Sequence, residues 1–470
     1  MSSTDASLHD AASRGGERAQ RGFQYQDAYV IGSIPRWLAA DGFAQVQQEA
    51  MGDVETSFFI PGRGITHELA QVKNKSVTLS ELKQVIESFV RLDRSGEFTA
   101  FKIVGLGFAK NVQPIINELA TMKIRYSDYE GTGIGHQSML KFKVQAAKLT
   151  DEDEDISEFL INKVDICVVE TDGDGTYRKN ISRYFPEFDN CPGSVVSGGL
   201  SRLRHLIHTK KDGPISRETI EGCLYDVDDA PDLPPINVTF GQSRSAGQRP
   251  LVFDMDRFFD FDAQRYPTVQ DWKEVLLPEL KEARKQIGKY RKMRTVRMQK
   301  HAISSALAVG WVFSAVAGFE IEIEHNGMVW TTDAHSNEGV PHYDSCIVDS
   351  VSPDAQHLVV SIGILKDIGT DVNAFVAGTC LEQASRLNIV GQMAIACSQQ
   401  ANAIVNKFKL AIAKAVQSLP AGATIHLFYS GPVHFAAFLA HRLNALPPVQ
   451  CYEWHKTDRL YLPACQLAAR

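Results

Sequence analysis

Residues 424–453 read TIHLFYSGPVHFAAFLAHRLNALPPVQCYE. The segment opens with an apolar run typical of a buried strand, turns at Ser-Gly-Pro, continues with apolar residues at helical spacing and closes with a second strand-like run. Neighbouring parallel strands need a long crossover connection, usually a helix, whereas a tight turn joins antiparallel strands. A helix between two strand-like runs therefore indicates a parallel pair. The stretch therefore predicts an α/β domain with a Rossmann-like strand–helix–strand unit in the C-terminal half of the chain.

The rest of the C-terminal half fits the same class. An almost unbroken apolar run over 358–365 predicts a strand buried on both faces, and Asn326-Gly327 predicts a hairpin turn. Helical length and spacing predict helices over residues 272–300, 302–319 and 389–417. The uncharged run 302–319 contains serines, glycines and alanines, which favour a buried core helix over a membrane span.

The N-terminal half shows a different order of elements. A helix is predicted over residues 18–40, with Pro35 as the residue that kinks or ends it. Thr78-x-x-Glu81 is a capping box and predicts a second helix directly after it. Strand-like runs cover residues 43–48, 54–60, 66–72 and 101–106. The predicted order is α-β-β-β-α-β.

The clearest boundary between the halves is an acidic, proline-rich segment. Four aspartates and three prolines lie within residues 225–235, where apolar periodicity disappears, so we predict a solvated linker. We assign residues 1–225 to an N-terminal domain, residues 226–236 to the linker and residues 237–470 to a C-terminal domain.

The composition is that of a folded, multidomain protein. The chain has 470 residues, of which 44% are hydrophobic and 22% charged, and this excludes a disordered chain, a fibre and a single small module. The net charge of −7 is uneven, because residues 1–236 carry 26 Lys and Arg against 35 Asp and Glu. The eight cysteines form no Cys-x-x-Cys pair and no secretory signal begins the chain. We therefore expect reduced thiols, a cytoplasmic location and no membrane partner.

Polar residues interrupt the second and third predicted strands. Asp53 and Glu55 are two residues apart and share one face of a strand, as do Gln71 and Lys73, and Glu49 lies close by. Carboxylate and amide oxygens suit Mg²⁺, and an ammonium nearby can orient a water for attack on a phosphodiester. A surface hairpin with a Glu–Lys pair would show the same spacing, so the pattern alone leaves both interpretations open.

The same residues resemble the PD-(D/E)xK restriction-endonuclease-like nucleases. An acidic residue at the start of one strand and Gln71-Val-Lys73 on the next match the variant in which glutamine replaces the second acid, and Gly-Phe-Gln-Tyr-Gln26 resembles the entry helix of that core. The resemblance implies metal binding by Asp53, Glu55 and Gln71, and catalysis by Lys73 with Glu49 and Gln26 in the cleft. Gly52 precedes Asp53 where the family has proline, so the principal ligand among Glu49, Asp53 and Glu55 stays open.

A second candidate site lies where the strand of 424–430 meets the following helix. In open α/β sheets this crevice binds ligands, and free N–H groups at the helix start favour anions. A plain turn before a helix is the alternative interpretation. The residues that we expect around a bound ligand are Tyr429, Ser430, Gly431, Pro432, Trp454, Arg297, Lys300, Gln399 and Gln400.

Residues 426–454 resemble the closing unit of a SAVED domain, and residues 301–324 resemble an earlier part of the same fold. SAVED domains resemble two fused CARF-like Rossmann halves and bind cyclic oligonucleotides. A restriction-endonuclease-like α-β-β-β-α-β core followed by such a domain is similar to the SAVED-domain DNA endonuclease effectors of cyclic-oligonucleotide anti-phage (CBASS) systems.

This resemblance implies a Mg²⁺-dependent endonuclease for double-stranded DNA that is activated by a cyclic tri- or dinucleotide. It also implies a homo-oligomer that forms when the ligand binds. The alternative from another class is a nucleotide-sensing regulatory protein whose N-terminal domain is catalytically inert and which acts through protein partners.

Overall fold

The structure is a computed structural model of the protein, and it describes residues 11–49, 51–130, 132–150, 155–169, 171–210, 213–241, 249–334, 340–350, 352 and 355–468. Two compact units, Met1–Leu233 and Pro234–Arg470, divide the chain. Both mix helices and strands, as the sequence predicts for an α/β protein.

The first unit begins with the predicted order of elements. These are α1 (Ala11–Leu38), β1 (Phe43–Gln48), β2 (Val54–Ile60), β3 (Gly64–Val77), α2 (Leu79–Asp93) and β4 (Phe98–Phe108). The elements that follow are α3 (Gln113–Tyr129), α4 (Gly133–Ala146), α5 (Ser157–Lys163), β5 (Val164–Val168), α6 (Gly173–Tyr184), α7 (Gly193–Thr209), β6 (Ile215–Ser216) and α8 (Arg217–Tyr225).

The sequence predicted a start for the second helix, at the capping box of Thr78, and a kink or end of the first helix at Pro35. The capping box of α2 is present, since the Thr78 hydroxyl accepts from the Glu81 backbone N–H and the Glu81 carboxylate accepts from the Thr78 backbone N–H at 3.0 Å. Pro35 lies inside the last turn of α1, and the helix ends three residues later at Leu38.

One mixed sheet holds the first unit together. Its strand order is β5-β4-β3-β2-β1-β6, with β1, β2 and β3 antiparallel and β3, β4 and β5 parallel. Side chains alternate between two apolar clusters, because successive residues of a strand point to opposite faces. Ala70 and Val72 belong to the cluster that contains α1, whereas Leu69 and Ile103 belong to the cluster that contains α2 and α3.

The second unit contains two sheets. The elements of its first part are β7 (Ile236–Phe240), β8 (Leu251–Phe253), α9 (Val269–Asp271), a π-helical turn (Trp272–Leu276), α10 (Leu277–Tyr290), β9 (Thr295–Met298), α11 (Ile303–Val312), β10 (Glu320–His325) and β11 (Met328–Thr331). Those of its second part are β12 (Ser345–Ser350), β13 (His357–Ile364), α12 (Gly369–Val376), β14 (Ser385–Gly391), α13 (Ser398–Gln417), β15 (Thr424–Ser430), α14 (Val433–Arg442), β16 (Val449–His455) and β17 (Leu460–Leu467).

Both sheets of the second unit contain parallel strand–helix–strand crossovers, and one crossover helix of each sheet, α11 or α14, meets the other. The five-stranded sheet has the order β11-β10-β9-β7-β8 and includes β9-α11-β10, and the six-stranded sheet has the order β12-β14-β13-β15-β16-β17 and includes β15-α14-β16. The two crossover helices pack against each other at Gly310, where an added Cβ would lie 2.2 Å from the Ala437 carbonyl oxygen. The parallel unit predicted from residues 424–453 is confirmed, and a related one lies in the first part.

Three predicted helices are shorter than expected. The helix over 272–300 ends at Tyr290, and the rest forms β9, where the buried Val296 and Met298 alternate with half-buried neighbours. The helix over 389–417 begins only at Ser398, because residues up to Gly391 form β14 between β12 and β13. In both places a short strand lies near a longer helix along the chain. The predicted helix covered both elements.

The uncharged run 302–319 forms the helix α11, which is almost wholly buried and ends at Val312. Among the residues that the structure describes, no helix is both long and apolar enough to cross a membrane.

Candidate functional site

Asp53 lies where β2 begins, beside a part of β3 that β2 no longer covers. The last paired residues are Val54 and Ala70, but β3 continues to Val77. One carboxylate oxygen of Asp53 accepts a hydrogen bond from the backbone N–H of Val72 at 2.6 Å and a second one from the side-chain amide of Gln71. The structure therefore brings Asp53 and Gln71 into direct contact.

Lys73 lies two residues beyond Gln71 on the same face of β3. It is half-buried and stands opposite Gly105 of β4, which has no side chain to cover it. Within the described ranges of the chain, no acidic side chain forms an ion pair with Lys73. Asp53, Gln71 and Lys73 thus form one polar group at the point where β2 and β3 separate.

The other predicted members of this site are placed differently. The Glu55 carboxylate forms an ion pair with His67 at 2.8 Å. Glu49 is exposed in the left-handed region with φ of 55°, and its backbone N–H donates to the Asp53 carbonyl at 3.1 Å. Gln26 is 9% exposed on α1, which packs on the face opposite to Gln71, and its side chain makes no hydrogen bond to Asp53, Gln71 or Lys73 among the described contacts.

The side chains that meet here make a small set of oxygen donors. In the part of the chain that the structure describes, no group of three or more His, Cys, Asp and Glu side chains is arranged to hold a metal ion. The set that does converge is one carboxylate and one amide, and Lys73 lies two residues beyond that amide on the same strand.

The second unit contains a cleft of about 330 Å³ at the carboxyl ends of β13, β15 and β16. Both parts of the unit contribute to its walls. The residues around it are Phe261, Tyr266, His301, Ala302, Ile303, Lys366, Ile368, Asp371, Tyr429, Ser430, Gly431, Val433, Glu453, Trp454, Lys456 and Tyr461. Of the predicted ligand residues, Tyr429, Ser430, Gly431 and Trp454 line this cleft together.

Three helices begin at the cleft. α11 starts at Ile303, α12 follows Ile368 and α14 starts at Val433, and all three of these residues line it. The first N–H groups of a helix have no partner within the helix and attract anions, but those of Ser304 in α11 and Gly369 in α12 already donate to the carboxylates of Glu453 and Asp367, whereas α14 has no side-chain cap. Lys366 and Lys456 also line the cleft, as do two acids, Glu453 and the Asp371 that pairs with Lys366 at 3.3 Å.

Aromatic rings stand on both sides of this space. Trp454 and Tyr461 meet edge to face with ring centres 4.8 Å apart, and on the other side the rings of Phe261 and His301 are 5.2 Å apart. Burial lowers the pKa of His301 to about 4, so this ring is neutral at pH 7. The cleft therefore combines groups that bind anions with flat surfaces that stack on bases.

Gly431 is required by the shape of the loop. A Cβ at this position would lie 2.5 Å from the Tyr429 hydroxyl oxygen and 2.8 Å from Ile364. The same hydroxyl donates to the Pro432 carbonyl at 2.8 Å, and Pro432 is the residue directly before α14. The Tyr429 hydroxyl therefore holds the loop by its hydrogen bond to Pro432. The absence of a side chain at Gly431 leaves space for that hydroxyl.

Glu453 is a cleft residue that the sequence analysis missed. It is 8% exposed, and its carboxylate accepts from the backbone N–H of Ser304 at 2.9 Å. Burial raises its pKa, although hydrogen bonds from Ser304 and Ile303 oppose the rise. Ala302, at the start of α11, has no side chain that can cap the helix, so Glu453 caps it from a strand of the other sheet. The sequence signal for this residue was a single acidic side chain within the strand β16.

Five predicted ligand residues do not line this cleft, namely Pro432, which directly precedes α14, and four residues that lie elsewhere. Arg297 and Lys300 line a separate cavity of about 520 Å³. The Nε and Nη2 atoms of Arg297 donate to the Glu322 carboxylate at 2.9 and 2.7 Å. Gln399 is half-buried at the start of α13. Gln400 is 2% exposed, accepts from the Ala396 N–H and donates to two backbone carbonyls, so it is not available to read a base.

These features define a two-unit protein whose C-terminal unit pairs two Rossmann-like sheets around one cleft. Residues 276–467 match the model of the SAVED family, described as the SMODS-associated and fused to various effectors sensor domain. The C-terminal unit therefore contains a SAVED domain.

The whole chain is homologous to CD-NTase-associated protein 4. It is 28% identical to that protein from Acinetobacter sp. (strain ATCC 27244 / 9458) and 27% identical to that from Moraxella osloensis, over 98% of this chain and 99% of each relative. A solved structure of the Acinetobacter baumannii Cap4 SAVED/CARF-domain containing receptor with the cyclic trinucleotide 3′3′3′-cAAA is 25% identical, with a TM-score of 0.80 over 95% of this chain and 99% of that one. The Moraxella osloensis Cap4 receptor, at 24% identity over the same shares, has the same fold with a TM-score of 0.74.

Proposed function

We propose that the protein is a metal-dependent endonuclease for double-stranded DNA that a cyclic oligonucleotide activates, and that it acts in anti-phage defence of the CBASS type. The observation that carries the proposal is the cleft of the SAVED domain, where the N-terminus of α14, which has no side-chain cap, and several aromatic rings meet. A homologous receptor of the same fold is solved with a cyclic trinucleotide.

The chemistry of the cleft supports a cyclic oligonucleotide as the ligand. Its phosphates carry negative charge at neutral pH, and they match the N-terminus of α14 together with Lys366 and Lys456. Its bases are flat and match Trp454, Tyr461 and Phe261. A cyclic tri- or dinucleotide presents both features on one molecule, whereas a simple anion would leave the rings unused.

The polar group of the first unit supports Mg²⁺-dependent hydrolysis. Asp53 and Gln71 fit the ion, because Mg²⁺ takes oxygen ligands, needs only one or two carboxylates and fills its other positions with water and substrate phosphate. They would hold it, with Glu55 as a further candidate. When bound, the ion would generate a hydroxide nucleophile and neutralise charge on the phosphate.

Lys73 would act from the same face of β3. As an ammonium it would donate to a phosphate oxygen of the DNA, and as a neutral amine its Nζ would accept a proton from the attacking water. The backbone N–H of Val72 and the amide of Gln71 keep the Asp53 carboxylate in place before substrate arrives.

Ligand-induced assembly of several chains completes the proposal. Residues 1–236 carry more acidic than basic side chains, and phosphate contacts supply most of the affinity for DNA. A homo-oligomer that forms on ligand binding would place several weak DNA contacts along one duplex and raise the affinity by avidity.

The test uses purified protein, plasmid DNA, Mg²⁺ and a panel of cyclic di- and trinucleotides. We expect cleavage with one class of ligand only, and none in the presence of EDTA. Calorimetric binding of a ligand without cleavage under any condition would favour the inert regulatory protein instead. Absence of binding to every member of the panel would overturn the sensor function.

A further inference from the structure

The imidazole of His301 belongs to the wall of the ligand cleft and lies between β9 and α11. The residue is partly exposed. Its Nε2 atom makes no hydrogen bond within the described parts of the chain and is accessible, whereas the Nε2 atom of His434 is enclosed. One polar atom of the cleft wall is therefore open to a ligand.

The other ring nitrogen fixes the position of the proton on His301. Nδ1 lies 2.9 Å from the Ser305 hydroxyl oxygen, and that hydroxyl donates to the Met255 Sδ atom at 3.7 Å. A thioether sulfur only accepts and a hydroxyl has one hydrogen, so the Ser305 oxygen accepts from Nδ1–H. Burial lowers the pKa of His301 to about 4, and a neutral imidazole carries one N–H. Nε2 is therefore a hydrogen-bond acceptor at pH 7.

A neutral acceptor suits a ligand that carries phosphates. The carboxylates in the cleft wall belong to Glu453, which accepts from Ser304, and to Asp371, which pairs with Lys366. A carboxylate close to a phosphate is repelled by it. The imidazole Nε2 accepts a hydrogen bond without a net charge, so it can face the uncharged part of an anionic ligand.

Three phenyl rings surround this imidazole. The ring centres of Phe259, Phe240 and Phe261 lie 4.7, 5.1 and 5.2 Å from that of His301. Phe261 also lines the cleft and is 50% exposed, so its ring can stack on a nucleic acid base. Because the two rings are neighbours, a base stacked on Phe261 has its edge near Nε2.

Base edges differ in what they offer to an acceptor. Adenine and cytosine carry an exocyclic amino group, which donates, where guanine and uracil carry a carbonyl oxygen, which accepts. A carbonyl that faces Nε2 would leave two acceptors without a donor. Sites built around a hydrogen bond reject an analogue that lacks the partner group more strongly than pockets that select by size.

We propose that His301 is a specificity-determining residue of the cleft, whose Nε2 accepts from the exocyclic amino group of an adenine or cytosine in the cyclic oligonucleotide. Ser305 is a positioning residue, because its hydroxyl keeps the proton on Nδ1. The inference rests on the proposed function and adds the class of base that the sensor reads.

The experiment is a double-mutant cycle between the full chain and its ligand. Calorimetry measures the affinities for 3′3′3′-cAAA and for its analogue with purine in place of adenine, which lacks only the amino groups. His301→Phe keeps an aromatic ring and removes the acceptor. We expect the parent to prefer cAAA, and the ratio of the two affinities to fall by about fivefold or more in the variant, as for one lost hydrogen bond. Affinities for 3′3′3′-cCCC distinguish cytosine from adenine.

Two further variants separate the hydrogen bond from the packing of the ring. Ser305→Ala keeps the imidazole but lets the proton move to Nε2, so the same ratio should fall by about twofold or more. His455→Phe is the matched control, since His455 lies outside the cleft wall and its Nδ1 pairs with Asp458 at 3.2 Å. It should keep the parent ratio.

Each other outcome has a defined meaning. A parent ratio in His301→Phe, or in Ser305→Ala if the first variant does not fold, would overturn the assignment. Coupling of His301 to a 2′-deoxy analogue instead of the purine analogue would overturn the amino group as the donor. Tighter binding of 3′3′3′-cUUU than of cAAA and cCCC would overturn the class of base and leave the sensor function intact. A parent that binds no cyclic oligonucleotide would overturn the proposed function itself.

Discussion

The two candidate sites of this molecule are built in opposite ways. The polar group of Asp53, Gln71 and Lys73 lies on two neighbouring strands within about twenty residues of sequence, and its direct contact joins Asp53 to Gln71. The ligand cleft takes residues from two sheets, from Phe261 to Tyr461. A site on one hairpin depends on local alternation, whereas a site at the ends of strands depends on how whole elements pack. Substitutions should therefore act locally in the first site and spread further in the second.

The largest effect is expected where the local site is broken. Lys73→Ala should lower ligand-triggered DNA cleavage by at least about 100-fold, because the ammonium beside Asp53 and Gln71 is lost. Ligand affinity measured by calorimetry should not change. Lys75→Ala is the matched control, since Lys75 lies two residues further on β3 and pairs with Glu81. A Lys73 variant that cuts at the parent rate would remove the catalytic function from this group.

The next effect tests whether the cleft depends on packing. Gly431→Ala should weaken ligand binding by about tenfold or more, because the added Cβ lies 2.5 Å from the Tyr429 hydroxyl and forces the loop to shift. Gly288→Ala in α10 is the control, since only the end of Arg294 comes near, at 3.9 Å. Calorimetry that gave the parent affinity for the Gly431 variant would place the ligand outside this loop.

The contact between the two sheets should appear as a change of stability. Glu453→Gln should lower the free energy of unfolding of the second unit by about 1 to 3 kcal/mol, because one oxygen of the buried carboxyl that accepts the Ser304 N–H is replaced by an NH2 group that needs an acceptor of its own. Denaturant titration followed by tryptophan emission measures it, since four of the five tryptophans lie in residues 237–470.

The pH dependence of the same variant sharpens this prediction. Burial raises the pKa of Glu453 in the folded state, so the folded protein holds its proton to higher pH than the unfolded chain. This contribution to stability is full below about pH 4.3, the ordinary pKa of glutamate, and is lost as pH rises through the folded-state pKa. The advantage of the parent over Glu453→Gln should shrink over that rise. An advantage that grows with pH would contradict the direction of the shift.

The smallest change in ligand affinity is expected at Arg297, which was predicted to bind the ligand but lies outside the cleft. Arg297→Ala should change the affinity for a cyclic oligonucleotide by less than about twofold, since Arg297 pairs with Glu322 beside a different cavity. Isothermal titration against the parent protein measures it. A tenfold loss of ligand affinity would contradict this prediction and would indicate that the ligand also contacts the cavity beside Arg297.

Local patterns in the chain were sufficient for much of the architecture. The capping box at Thr78, the order of the first six elements and the parallel crossover of residues 424–453 were all predicted correctly. The errors at β9 and β14 came from short strands beside longer helices, where periods of 2 and 3.6 overlap within a few residues. The common face of Gln71 and Lys73 was predictable for the same local reason, because residues two apart on a strand share a face.

By itself, the sequence determined which residues are adjacent on one strand or one helix, and so it placed Asp53, Gln71 and Lys73 together and located the Ser430-Gly431 turn. Only the tertiary structure decided that Glu453 caps a helix 149 residues earlier in the chain, that Gln400 is enclosed by backbone and that Arg297 faces another cavity. The physical reason is that periodicity gives the direction of a side chain within its own element. Its partner across the protein depends on sheet order and helix packing, which are set by the burial of the whole core.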